Sequence, residues 1–299
     1  MERVSTSGLN HALLRSAMTV QARLADRQTA QASGLETQTY AGLGADSARL
    51  ISLESQMTAI QGRSATTQTA LDRTEAMHQA VGSMVDLMTS LRSTLSEMTA
   101  QTADQSVDRN ATGSAMLEDL AALMNLQVDG RYLFAGGATT SPPVDLTALS
   151  SPASAAIADT GYYQGDASIQ SVAVSDQSVV AYGINADETG FEKAIRAANL
   201  LAGMDSSDAD AIGQAYDLAT EAMDALLAVQ GRLSVTASRL ESGLQTQDSM
   251  LTLIAARVSD VKAVDTAQVA VEIAEYQTIL EASYAALGKI SSLNLLDFL

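Results

Sequence analysis

All three prolines of the chain, Pro142, Pro143 and Pro152, lie within eleven residues of one another. Proline removes an amide donor and clashes with the preceding helical turn, so long helices are confined to the flanks of this stretch. Those flanks are rich in Ala, Leu, Met, Gln and Glu, which are good helix formers. The middle, about 131–190, differs in kind. With Phe191 at its edge it carries Tyr132, Phe134, Tyr162, Tyr163 and Tyr182, in a chain whose aromatic content is only 4%. It also carries the β-branched runs Ser171-Val172-Ala173-Val174 and Val179-Val180-Ala181-Tyr182, separated by Gly, Asp and Ser. Such runs read as short strands and turns.

Each flank has a seam. From Leu50 the apolar or small positions run Leu53, Met57, Ile60, Ser64, Thr67 and Leu71, then Met77, Val81, Met84, Met88, Leu91, Leu95 and Met98. Alternating steps of three and four put one residue per turn on one face, as in a helix packed along a long partner. A shorter helix is predicted over about 108–128, with Met116, Leu120, Leu123 and Met124 inward, after a capped turn at Asp104–Asp108. The second flank answers with Ile212, Ala215, Ala219, Ala222, Leu226, Val229, Leu233, Thr236, Leu240, Leu244, Gln247, Leu251, Ile254, Val258 and Val261. Asp205-Ser206-Ser207-Asp208 supplies its caps and an acidic first turn. At ~1.5 Å per residue, each main helix should be roughly 75–80 Å long. The predicted fold is therefore mainly α: an elongated antiparallel helical rod built from both chain ends, about 46–129 with 191–262. A small mostly-β domain at 131–190 is inserted in its middle.

The two ends carry a further pair of apolar faces. Residues 9–33 align Leu9, Leu13, Val20 and Leu24; residues 266–296 align Val269, Ile273, Tyr276, Leu280, Leu287, Ile290 and Leu293. The last seven residues add Leu295, Leu296, Phe298 and Leu299. A chain end is normally polar, so these side chains are read as an assembly interface that neighbouring subunits cover.

Charge and composition exclude several functions. Lys and Arg total 17 against 35 Asp and Glu, a net charge of −18, which disfavours nucleic acid and anionic membranes. Cysteine is absent, removing disulfides, thiolate metal sites and a cysteine nucleophile, and suiting a chain that crosses between redox environments. No apolar stretch is long enough to span a membrane, and the first eight residues, Met1 to Gly8, lack the pattern of a secretory signal peptide.

Isolated features read as structure rather than chemistry. Gly42-Leu43-Gly44 follows no strand and lacks a third spaced glycine, so it is not read as a phosphate loop. His11 and His78 are read as helix residues rather than metal ligands, and Asp205, Asp208 and Asp210 as caps, since calcium-loop spacing is missing. Asn110-Ala111-Thr112 is a sequon at a helix start and is read as idle. The methionines 77, 84, 88 and 98 are read as core packing. No catalytic, cofactor or metal residue is assigned, and an enzyme is not expected.

Three segments together resemble the bacterial flagellin superfamily, within it the hook-associated, flagellin-like proteins of the hook–filament junction. The first is Leu24-Ala25-Asp26-Arg27-Gln28-Thr29-Ala30-Gln31-Ala32-Ser33-Gly34-Leu35, similar to the end of the family's N-terminal helix. The second is Val128-Asp129-Gly130-Arg131-Tyr132-Leu133-Phe134-Ala135-Gly136-Gly137, followed by Pro142-Pro143 and Tyr163-Gln164-Gly165-Asp166. The third is residues 280–299, from Leu280-Glu281-Ala282-Ser283-Tyr284 to Leu295-Leu296-Asp297-Phe298-Leu299. Where the family shows an Asp-Asp-Pro-like turn, this chain has Tyr40-Ala41-Gly42-Leu43-Gly44-Ala45-Asp46-Ser47. The resemblance implies a terminal helical assembly domain from 1–45 and 265–299, a rod from 46–130 and 191–264, and an outer domain at 131–190. It implies a structural subunit exported by the flagellar type III apparatus to the outside of the cell, which forms the hook–filament junction on which flagellin polymerises. Its implied partners are copies of itself, the preceding hook-associated protein, flagellin and an export chaperone. Filament flagellin is the nearest alternative. An adhesin or glycan-binding module, with Tyr162, Tyr163 and Tyr182 as its face, is a second.

Overall fold

A computed structural model describes residues 2–100, 109–150, 153–204 and 208–296. Its elements are α1 (Glu2–Ser33), α2 (Asp46–Ala100), α3 (Arg109–Met124), β1 (Gln127–Val128), β2 (Arg131–Tyr132), β3 (Ser171–Ser175), β4 (Ser178–Ala181), α4 (Thr189–Gly203), α5 (Ala209–Lys262) and α6 (Thr266–Leu296). Short 3₁₀ turns lie at Tyr40–Leu43 and Leu146–Ala148. The chain is thus mainly helical, with two small antiparallel sheets in its middle. It divides into two compact units, one from residues 1–59 and 251–299, the other Ile60–Met250. The predicted turn at Asp104–Asp108 lies outside the described residues, as do Pro152, the cap residues Asp205, Ser206 and Ser207, and Asp297, Phe298 and Leu299.

In the 60–250 unit, α2 and α5 run antiparallel. Gln247 reaches Thr67, Gln230 approaches Gly82, Met223 meets Thr89, and Tyr216 meets Arg92. As the numbers rise along one helix they fall along the other. The seam read from the sequence is the buried face: Thr67, Leu71, Met77, Val81, Met84, Met88, Leu91, Leu95 and Met98 on α2 are all buried. So are Ile212, Ala215, Ala219, Ala222, Leu226, Val229, Leu233 and Leu240 on α5. The methionine stripe is core, as its spacing predicts. Two buried threonines in α2 are satisfied by their own helix: Thr67 donates to the Arg63 carbonyl at 2.9 Å and Thr74 to that of Ala70 at 2.7 Å. Gln247, the polar member of the α5 seam, donates to the Val174 carbonyl at 2.8 Å and so holds β3 against the helix.

The α3 helix ends four residues before the predicted boundary at 128. Asn125 leaves the helix to bond the Val144 backbone twice, each at 3.0 Å. Beyond it Asp129 (φ 53°) and Gly130 (φ 71°) form the two-residue turn joining β1 to β2. A turn of this kind needs positive φ at both central residues, which Asp-Gly supplies. The strands predicted at 171–174 and 179–182 appear as β3 and β4. The helix α4, at the start of the range 191–262 read as helical, packs on α3 and carries a buried ion pair, with Arg196 Nε and Glu192 Oε1 2.9 Å apart. The same Glu192 oxygen accepts from the Asp159 amide, so the buried carboxylate is well satisfied.

The aromatic residues of the middle segment turn inward. Phe134 meets Phe191 edge to face, with centroids 5.5 Å apart. Tyr162 is fully buried and donates to the Ala186 carbonyl at 2.8 Å, while Tyr182 is buried as well. Burial pushes the Tyr162 hydroxyl far above its ordinary pKa, and that of Tyr163 up to about 12. The face needed by an adhesin is thereby largely spent on the core.

Replacing Leu240 with Asp should place an unpaired charge in the α2–α5 seam and cost several kcal/mol, about the scale of burying an uncompensated ion. Asp at the exposed neighbour Ser238 should change stability by no more than about 0.5 kcal/mol. Thermal melts followed by circular dichroism at 222 nm check the contrast.

Candidate assembly surface

The second unit is organised around the place where α1 ends. Gly34 takes a left-handed conformation (φ 72°) and its amide bonds the Ala30 carbonyl at 2.9 Å, closing the helix with an αL cap. The chain then runs extended against the α5–α6 connection. Glu36 N–H donates to the Lys262 carbonyl at 2.9 Å, and Val264 N–H donates to the Gly34 carbonyl at 3.0 Å. Asp265 starts α6 by accepting from the amides of Ala267 and Gln268 at 3.0 and 3.1 Å. Since α1 arrives at this short ladder and α6 leaves it, the two helices run antiparallel, and they pack against one another.

Charges tie the ladder to the helices. Arg27 on α1 holds Glu36 at 2.9 Å and Glu272 of α6 at 3.0 Å. On the other side, Glu54 of α2 receives Lys262 Nζ at 2.6 Å and the Tyr40 hydroxyl at 2.7 Å. The Lys262 hydrogen bond and then that of Tyr40 hold the Glu54 carboxyl below its ordinary pKa, and Glu54 in turn raises both partners. A polar cleft of about 350 Å³ opens beside the ladder, with Arg23, Arg27, Ser33, Glu36 and Tyr276 in its wall.

The residues read as an assembly interface divide in three. Leu13, Val20 and Leu24 are half-buried, with Ala17 and Ala30 on α1 fully buried. On α6, Val269 and Leu280 are buried, and Ile273, Tyr276 and Leu287 are half-buried. This face of each helix is therefore already largely covered within one chain. Leu9 stays exposed, at 53%. The side chains of Ile290, Leu293, Leu295 and Leu296, and the whole of Phe298 and Leu299, lie outside the described residues.

A second set of apolar residues has no such cover. Leu14 (47%) and Met18 (63%) lie one turn apart on another face of α1, and Val271 (68%) and Tyr284 (54%) are exposed on α6. A template that follows one seam per helix passes over them, because each stands only one to four residues from a seam position. The signal available in the sequence was an excess of apolar residues over what one face can hold.

Among the described residues no group of His, Asp and Glu is placed to hold a metal ion, and no helix is long and apolar enough to cross a membrane. Gly42, considered as part of a phosphate loop, lies in the 3₁₀ turn Tyr40–Leu43.

Two predictions concern this junction. Gly34→Ala leaves the new methyl group in open space but forces an L side chain into the left-handed region. It should cost about 1–2 kcal/mol with no packing gain, read from thermal melts. Glu54 has a depressed folded pKa and Lys262 a raised one. Their contribution is therefore full between the ordinary carboxylate and lysine ranges. It is lost as pH falls through the folded pKa of Glu54, or rises through that of Lys262. Protection factors of the 34–36 amides, measured against the intrinsic exchange rate at each pH, should fall below the carboxylate range, and Glu54→Gln should abolish that acid-side change.

Comparison with known proteins follows the same lines. Residues 216–299 match the family described as the bacterial flagellin C-terminal helical region. No curated protein matches the chain in sequence. Among solved structures, a putative flagellar hook-associated protein from Vibrio parahaemolyticus is 12% identical with a TM-score of 0.54, the match covering 73% of this chain and 97% of that one. FlgL from Bacillus cereus is 15% identical (TM-score 0.54, covering 70% and 98%). Flagellar hook associated protein-3 from Legionella pneumophila is 13% identical (TM-score 0.56, covering 70% and 98%). At such identities the likeness is one of fold. By that fold and by its C-terminal region, the chain is similar to the flagellin-like, hook-associated proteins of bacterial flagella.

Proposed function

We propose that this protein is a structural subunit of the bacterial flagellum, and that it forms the junction between hook and filament on which flagellin polymerises. The observation that carries the reading is the extent of the likeness: nearly the whole of three hook-associated chains is matched, from two-thirds to three-quarters of this one. The flagellin C-terminal region at 216–299 supports it independently. In this reading α1 and α6, with the adjoining connectors (1–45 and 265–299), are the assembly domain, 46–130 with 191–264 the rod, and 131–190 the outer domain. Leu14, Met18, Val271 and Tyr284 join the terminal residues 290–299 as the surface that neighbouring subunits cover. The partners are further copies of this chain, the preceding hook-associated protein, flagellin, and a chaperone that shields α6 before export through the flagellar type III apparatus. The role is structural rather than enzymatic. Filament flagellin remains a second reading because the matched family is the flagellin C-terminal region itself.

Immunogold labelling of intact flagella separates the two: a single deposit at the hook end is expected, and label along the filament would overturn the junction role. The surface is tested by the triple substitution Leu14→Ser, Met18→Ser and Val271→Ser. Each side chain is worth about 1.5–3 kcal/mol if it becomes fully buried on assembly, before ordering costs. Since all three are exposed in the single chain, the thermal transition should hardly move. Cells carrying the variant should instead shed unpolymerised flagellin into the medium.

A further inference from the structure

In the 60–250 unit, Arg73 of α2 stands apart from the other covered cations. Its side chain is half-buried and its Nε is covered with no hydrogen-bond acceptor. The Nε atoms of Arg92 and Arg196 share that state, but those two side chains have other partners and Arg73 has none among the described residues. Every other buried or half-buried lysine or arginine among the described residues has a charged or aromatic partner. Arg27, Arg63, Arg196, Lys193 and Lys262 all meet carboxylates. Arg92 donates to the Tyr216 hydroxyl at 3.1 Å and lies over its ring, 5.2 Å from the centroid.

Arg73 lines a recess together with Arg131, Tyr132, Thr139, Gln170 and Tyr182. Arg131 follows the Asp129-Gly130 turn on β2 and also has no carboxylate partner among the described residues. No Asp or Glu lines the recess, in a chain with 35 of them. Its walls are fixed by backbone bonds. The Gln170 carbonyl accepts from the amides of Tyr182 and Gly183 at 2.9 and 3.0 Å, and Tyr132 N–H donates to the Thr139 carbonyl at 3.0 Å. The Gln170 amide group is itself held by the Gly136 carbonyl at 2.9 Å. The free space is about 20 Å³, enough for one water-sized group and too small for a nucleotide or a sugar. A water there would give Arg73 an acceptor but no compensating charge.

We propose that Arg73 and Arg131 form a carboxylate-binding subsite, which takes the tip of an acidic group rather than a whole metabolite. Guanidinium groups suit this ligand because a charge-assisted N–H···O⁻ bond to the one carboxylate oxygen that enters is stronger than a bond to a neutral acceptor. The chemistry is shared by a free small carboxylate and by an Asp or Glu side chain of a second copy of this strongly acidic protein. It does not depend on the flagellar reading.

The test uses the full-length protein and the ¹⁵N–¹H signal of Arg73 Nε, assigned by its loss in Arg73→Lys. Sodium acetate, compared with sodium chloride at equal ionic strength, should shift that signal saturably. Arg73→Gln and Arg131→Gln should each weaken acetate binding about tenfold to a hundredfold, the loss expected for a charge-assisted hydrogen bond. Binding in Arg131→Gln is read from the Arg73 signal, and in Arg73→Gln from that of Arg131. A protein concentration series without acetate identifies the source. If the Arg73 signal moves with concentration, and Arg73→Gln lowers self-association in sedimentation, the carboxylate comes from another copy. If acetate alone moves it, the ligand is a free small carboxylate. A signal indifferent to both acetate and concentration overturns the proposal, whatever the stability of the variants.

Discussion

The burial of one face of α2 against one face of α5 is the interaction on which the rest of the 60–250 unit depends. Neither helix could hold its shape alone in water, because propensity contributes little beside the packing of an apolar face. The seam is long and narrow, with methionines and leucines of α2 facing a side of α5 that is rich in alanine at 215, 219 and 222. Flexible thioethers fill the irregular gaps beside such small residues. Other parts then attach to this pair. Gln247 pins β3 to α5 through the Val174 carbonyl, and Arg63 of α2 holds Asp176 at the tip of the same hairpin. The middle segment, with little regular structure of its own, is ordered by anchors of this kind and by its few buried rings.

Much of this was legible before any coordinates. The seam positions, the start of α6 at 266 and the strands near 171 and 179 follow from spacing and residue type alone, because a period of 3.5 or 2 has few other physical meanings. Two things were harder to see. The early end of α3 depends on Asn125 bonding Val144, a contact between residues far apart in sequence that no local pattern announces. The Asp129-Gly130 turn beyond it was a local signal and could have been used to place the boundary. Spacing marks an apolar face on α1 and on α6, but periodicity cannot say whether the covering surface belongs to the same chain or to another. In this structure much of that cover is intramolecular, while Leu14, Met18 and Val271 stay exposed.

The polar groups around Gly34 do a different job from the seams. Arg27, Glu36, Glu54, Tyr40, Lys262 and Glu272 are all at least partly open to water, where single ion pairs contribute little. What they specify is direction. By fixing the short ladder between 34–36 and 262–264, they determine which way α1 arrives and α6 departs.

That ladder joins the first and last helices of the chain, and this has a consequence for the order of events in time. Any machine that delivers a polypeptide from its N-terminus, ribosome or narrow channel, releases α1 first and α6 last. Residues 60–250 can complete their own core during the interval, while α1 waits without a partner. The unit formed by the two ends is then the last to close. The face of α1 that α6 will cover is most available to other binders while the chain is still unfinished, a property set by connectivity rather than by any one side chain.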